Sequence, residues 1–166
     1  KNNFPPPACE SRGSTAAVKP NDDKVQQRID MLMTHGGRRA KRFDWAFRND
    51  YVRIKNENER QEEYSLAEIF AVLCWLTDRF GADWFPLANN VEKLGHDEEA
   101  DGLGVAILRQ QPRNISHAQG SSYLGVVLEH AGILEWNNRQ RGIEWRIIRQ
   151  PRSLDELRKA MSIKTA

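Results

Sequence analysis

The strongest pattern in the chain is a helical period between residues 65 and 81. Leu66, Ile69, Phe70, Leu73, Leu76 and Phe80 recur at the spacing that places them on one side of an α-helix. Ser65 and Glu68 form a capping box ahead of them, and Gly81 follows as a stop. This helix is expected to be core, with Cys74 and Trp75 packing as well. A second helical pattern runs from about Ser116 to Ala131, where Leu124, Val127, Leu128 and Ala131 share a face and Gly132 closes the end. The period then changes to two. Ile133–Trp136 reads as a short strand, Asn137–Gly142 as a turn, and Ile143–Ile148 as a second strand, with Ile143, Trp145 and Ile147 on one face. Pro151 ends that strand. Ser153 and Glu156 make a second capping box, which starts a C-terminal helix with Leu154, Leu157 and Met161 along one edge. That edge is expected to pack on the domain or on a second copy.

The N-terminal part is less regular. Residues 1–22 read as a flexible, Pro-rich tail with little to bury. Asp22 and Asp23 are expected to start a helix carrying Val25, Ile29, Leu32 and Met33, stopped by Gly36-Gly37. Phe43, Trp45 and Phe47 then alternate with polar residues, which predicts a strand or hairpin with Asn49-Asp50 at its turn. Glu57–Glu63 reads as a charged connector. Asp83–Leu87 suits a brief extended segment leading into a helix over 87–94, ended by Gly95. A further helix is expected over 98–110, weakened by Gly102 and Gly104. Those two glycines are not a phosphate loop, because the third glycine, the lysine and a preceding strand are missing. The resulting division is a tail over 1–22, a basic helix/strand extension over 23–63, a folded unit over 64–150 and a C-terminal helix over 151–166.

Composition changes this picture in one respect. A chain of 166 residues, 39% hydrophobic and 29% charged, is sized for one domain with appendages. The apolar run from Ile69 to Leu76 is far shorter than a membrane span. Net charge is only +2, yet seven Lys or Arg stand against two Asp between Arg38 and Lys55, and five Arg against one Glu between Arg139 and Arg152. Such local excess suits a polyanion-binding face, and an ordinary solvated surface equally. The aromatic residues among those cations suit base stacking, or, more simply, packing. Two cysteines, Cys9 and Cys74, form no disulfide framework or metal motif, so reduced thiols and a cytoplasmic (nucleoid-associated) or nuclear protein are expected, not a secreted one.

From Ser65 to Ile148 the order is helix, short extended segment, helices, helix, strand, turn, strand. That order resembles the winged helix-turn-helix superfamily, most specifically in the run SSYLGVVLEHAGILEWNNRQRGIEWRI. About half of the chain is covered. The segment from Leu87 to Pro112 departs from the pattern, being longer and richer in glycine. The resemblance implies an α+β, mainly helical fold: a winged helix-turn-helix with an N-terminal extension and a C-terminal helix. It further implies that the helix before the wing enters a major groove. Asn114, Ser116, His117, Gln119, Ser121 and Ser122 would face the bases, Arg139 and Arg141 on the wing would meet backbone or minor groove, and Arg113, Arg146 and Arg149 would flank them. Ser116 has a plain alternative role as helix cap, and Gln119, Ser121 and Ser122 one as a solvated face. Arg38, Arg39, Lys41 and Arg42 add candidate backbone contacts from charge density alone.

The expected function is therefore DNA binding, as a regulator or as the DNA-targeting part of a larger system. A winged helix used for protein–protein assembly is the alternative, and a nuclease comes third. Double-stranded DNA is the expected partner, with a homodimer or larger complex as a further expectation, and no membrane, cofactor or metal. His35, His96, His117 and His130 are too scattered in sequence to suggest a metal site. No catalytic motif is visible. Glu92-Lys93, and Asp155 and Glu156 with Lys159, are weak candidates for a carboxylate–lysine nuclease site, so the sequence leaves enzymatic activity undecided.

Overall fold

A computed structural model describes residues 30–162. The architecture is α+β: a four-stranded antiparallel sheet, six α-helices and a second, three-stranded sheet among the described residues. The first sheet is a meander of β1 (Asp30–Met33), β2 (Arg42–Arg48), β3 (Tyr51–Asn56) and β4 (Gln61–Ser65), in that order. Alternation drives it as expected. Phe43 and Trp45 of β2, Val52 and Ile54 of β3 and Tyr64 of β4 are buried, while their neighbours face outward. The turn between β2 and β3 is the expected Asn49-Asp50 pair. Both residues have positive φ, 52° and 61°, as a two-residue hairpin turn of matching twist requires.

Two expectations in this region fail. The helix expected to carry Leu32 and Met33 up to Gly36-Gly37 is replaced there by a strand: Leu32 and Met33 lie in β1, where Leu32 pairs with Phe43. Residues 22–29 lie outside the described residues. A short amphipathic segment holds a helix poorly without packing, whereas β2 offers a row of backbone groups to pair with. The charged connector is also partly a strand, since Gln61–Glu63 belong to β4. Tyr64 is its single buried residue, so the alternation has one apolar beat and escapes notice.

Helix α1 (Leu66–Phe80) forms as the pattern predicts, and Ser65 Oγ accepts the Glu68 amide at 3.1 Å. After it come β5 (Phe85–Pro86), α2 (Val91–Gly95), α3 (Leu103–Gln110), α4 (Ile115–Gln119), α5 (Ser121–His130), β6 (Leu134–Trp136), β7 (Glu144–Ile147) and α6 (Leu154–Ser162). The second sheet has the order β5-β7-β6, antiparallel throughout. The helix expected over 87–94 begins later, at Val91, because Leu87 is held extended. Its amide donates to Ile143 and its carbonyl accepts from Gly104. The helix expected over 98–110 begins at Leu103 for a related reason. A side chain at Gly102 would strike the Pro86 carbonyl, and one at Gly104 the Ala88 carbonyl, so the glycines let α3 press against the chain after β5.

The single helix expected over 116–131 is two. It breaks at Gly120, where the Tyr64 hydroxyl occupies the space a Cβ would need. Gly132, with φ of 75°, ends α5 as expected. Helix α6 packs on α1 of its own chain and buries Leu157, Ala160 and Met161. One hydrophobic cluster runs from Phe43 to Met161 and includes both sheets and all six helices. No helix among the described residues is long and apolar enough to cross a membrane. Cys74 is buried in α1, and Cys9 lies outside the described residues.

Candidate nucleic-acid interface

The turn between β6 and β7 is braced by its own side chains. Asn137 Nδ2 donates to the Gly142 carbonyl at 2.9 Å, and Asn137 Oδ1 accepts the Arg139 amide at 3.1 Å. Trp136 Nε1 donates to the Arg139 carbonyl at 3.2 Å. Asn138 and Gly142 take positive φ, 59° and 65°, to close the turn. With the backbone held in this way, the side chains of Arg139 and Arg141 project into solvent, and both residues are exposed.

This turn rests on the segment before β2. His35 stacks on Trp136 with ring centroids 3.6 Å apart and planes 6° from parallel, and its Nε2 lies 2.5 Å from Glu129 Oε2. Glu129 also accepts from Trp145 Nε1 at 3.4 Å. Two residues on, Gly37 (φ 57°) begins a 3-10 turn, Gly37–Arg39, and the Gln140 side chain fills the space where its Cβ would be. Two arginine-bearing turns, about a hundred residues apart in sequence, are thereby joined into one edge. Arg38, Arg39, Lys41, Arg139 and Arg141 are all exposed along this stretch, and none makes an ion pair with a described carboxylate. Arg42 is exposed beside them, its amide donating to Glu57 Oε1 at 2.8 Å.

Beneath this edge lies a cleft of about 550 Å³ between the first sheet and the helical half. Arg39, Lys41 and Arg60 line one side, and Ser116, Gln119 and Ser122 the other. These three polar residues from the helix-before-wing pattern therefore do share a surface, although it is the wall of a cleft. Gln119 is exposed, and its carbonyl accepts from Asn89 Nδ2 at 3.2 Å.

The remaining expected contacts are placed differently. Ser121 is fully buried, and its hydroxyl has no hydrogen-bond partner among the described residues. His117 is only 3% exposed. Neither presents a surface to an incoming duplex. Asn114 is exposed and caps α4, its Oδ1 accepting the His117 amide at 3.2 Å. Arg113 is exposed in the preceding turn with φ of 73°. Arg146 is already partnered: its Nε lies 2.6 Å from Glu135 Oε2, and its guanidinium sits 4.7 Å from the centre of the Trp84 ring. Arg149 is exposed just beyond β7.

His117 instead anchors a buried polar junction. Its Nε2 is 2.6 Å from Glu68 Oε1 and its Nδ1 is 3.2 Å from Glu62 Oε2. Gln111 Nε2 donates toward the same Glu68 carboxylate at 3.4 Å, and Tyr64 stacks on the imidazole at 4.3 Å while donating its hydroxyl to the His117 carbonyl at 2.7 Å. The Glu68 side chain, expected to close the capping box, is thus turned inward to α4. Burial pulls the His117 pKa down, but the hydrogen bonds and charge of Glu68, then of Glu62, outweigh it and leave the pKa above 6.5. Burial also pushes the Tyr64 phenol well above its ordinary value. The residues that sequence reading missed are His35, Gly37, Gln140 and the Glu62–Glu68 pair. A His-Gly-Gly run and a lone glutamate in a helix carry no local mark of a partner so distant in sequence. No family model matches the chain, and neither does any curated protein or solved structure.

Proposed function

We propose that this chain binds double-stranded DNA along the joined edge of the Gly37–Arg39 turn and the β6–β7 turn, acting as a regulator or as the targeting part of a larger system. The observation that carries this reading is the seating of Gln140 on Gly37, which gathers on one edge five exposed cations that make no ion pair with a carboxylate among the described residues. Cations held apart from carboxylates keep their full attraction for phosphate, and a duplex offers phosphates in a continuous row. The winged-helix reading of 64–150 is supported by the element order and by the strand order β5-β7-β6, with the β6–β7 turn as the wing.

In this reading α5 is not the element that enters a groove. Leu124, Val126, Val127 and Leu128 are buried, Gly125 sits against Trp145, and Tyr123 meets Phe43 edge-on at 5.1 Å. Backbone contact by the two turns supplies affinity with little reading of base edges. Fluorescence anisotropy with a labelled duplex at several salt concentrations tests it. If all five cations meet phosphates, log K falls with log salt at a slope of about −4 to −5. Absence of duplex binding at low salt overturns the proposal, as does a slope near zero.

A further inference from the structure

We propose that the cleft between the first sheet and α4–α5 is a binding site for one phosphorylated nucleoside, either a free nucleotide or the terminal nucleotide of a strand. The outer edge and the cleft share Arg39 and Lys41, whereas Arg60 and Ser122 belong to the cleft alone, so changes at those two test this site apart from duplex binding. The cleft's volume of about 550 Å³ lies within the range of small-ligand sites, about 300–1,000 Å³. Its chemistry is divided. Arg39, Lys41 and Arg60 form a cationic lip, while Leu87, Tyr123 and Ile143 give apolar wall. That division suits a ligand with an anionic end and a flat, weakly polar body.

The carboxylate that lines the cleft does not oppose an anion strongly. Glu62 is engaged by His117 at 3.2 Å and by Arg60 at 3.7 Å. Among the amide side chains of the wall, Asn56 uses its Oδ1 to accept the amides of Asn58 and Arg60, so its NH2 group is the part left to donate. Tyr123 is held edge-on by Phe43, which fixes its ring as a wall against which a base can pack. Ser116, Ser122 and Gln119 supply the hydroxyl and amide groups that pair with a sugar or a base edge. An inorganic anion would use the lip and leave the apolar wall wet. An uncharged aromatic would use the wall and leave Arg39 and Lys41 idle. A phosphorylated nucleoside uses both.

Isothermal titration calorimetry of the full chain with AMP, adenosine, inorganic phosphate and a short 5′-phosphorylated oligoadenylate tests the site. The expected result is saturable binding of AMP, of the oligoadenylate or of both, with adenosine and phosphate at least tenfold weaker. Binding of AMP identifies a free nucleotide as sufficient, and binding of the oligoadenylate alone identifies a strand terminus. Two variants carry the location. Arg60→Glu reverses the lip, and Ser122→Trp fills the cleft. Each is expected to weaken binding at least tenfold, with thermal unfolding reporting that the variant is folded. Should Ser122→Trp fail to fold, Arg60→Glu alone decides. The proposal is overturned if neither AMP nor the oligoadenylate binds. It is equally overturned if phosphate alone binds as tightly as they do, or if the folded variants bind like the parent.

Discussion

Two of the junctions that tie the four-stranded sheet to the rest of the described residues are opposite in kind. One is buried: Glu62 from β4, Glu68 from α1 and His117 from α4 meet around a single imidazole. The other is at the surface: His35 lies on Trp136, and Gly37 receives Gln140. In the first, every charge faces an opposite charge and none is left for a ligand. In the second, ring stacking, the His35–Glu129 contact and a close approach to the backbone at Gly37 do the joining, and the cations beside it make no ion pair among the described residues. Local positive charge is therefore a poor guide by itself. On the outer face of the first sheet Arg53 pairs with Glu63 at 3.0 Å and Lys55 with Glu59 at 2.6 Å, whereas the cations beside the Gln140–Gly37 contact have no such partners among the described residues.

Breaking the buried junction is expected to have the largest effect. His117→Ala leaves the Glu68 carboxylate buried without its cation, which costs about 3–5 kcal/mol. Urea unfolding measures it, and a loss below about 1 kcal/mol would mean that the junction is not charged as described. At the surface junction, Arg139→Ala with Arg141→Ala is expected to leave unfolding unchanged. The same pair of changes should lower duplex affinity and make the salt slope shallower by about 2, one per lost phosphate contact. Unchanged affinity would remove the β6–β7 turn from the interface.

Gly37→Ala acts on the same junction through its backbone. Its φ of 57° and the Gln140 side chain both oppose a Cβ, so stability is expected to fall by about 1 kcal/mol, with a parallel loss of duplex affinity. The contrast sharpens with pH. The folded His117 pKa is raised above 6.5, so its contribution to stability is full below that value and disappears as pH rises through the folded pKa. Melting temperature should therefore fall over that window in the parent and not in His117→Gln. The smallest effect belongs to Asp50, whose carboxylate receives Arg158 at 2.8 and 2.9 Å in a half-exposed pair. Asp50→Asn is expected to cost about 0.5 kcal/mol in denaturant unfolding.

How much of this was legible depends on the range over which each feature is decided. Helix α1, the Asn49-Asp50 hairpin and the strands flanking Asn137–Gly142 are written in local periodicity and turn chemistry, and sequence reading reaches them. Arg139 and Arg141 could be named as exposed for the same reason. The failures involve residues whose state is set by distant partners. Leu32 looks helical until β2 is there to pair with it. His117, Ser121 and Ser122 look like one polar helix face, but the first sheet covers that side, burying the first two and placing the third in a cleft. Glu68 looks like half of a cap until His117 stands opposite it.

The break at Gly120 has a consequence for how the molecule opens. The Tyr64 hydroxyl of β4 fills the break between α4 and α5, and α5 packs against β1 of the first sheet and β6 of the second. The amides at its buried centre are therefore covered from both sheets. Hydrogen exchange in Val126–Leu128 is expected to proceed by opening of the whole cluster, at the free energy of global unfolding. Loosening of the first sheet should register in the centre of α5 as well as in its own strands.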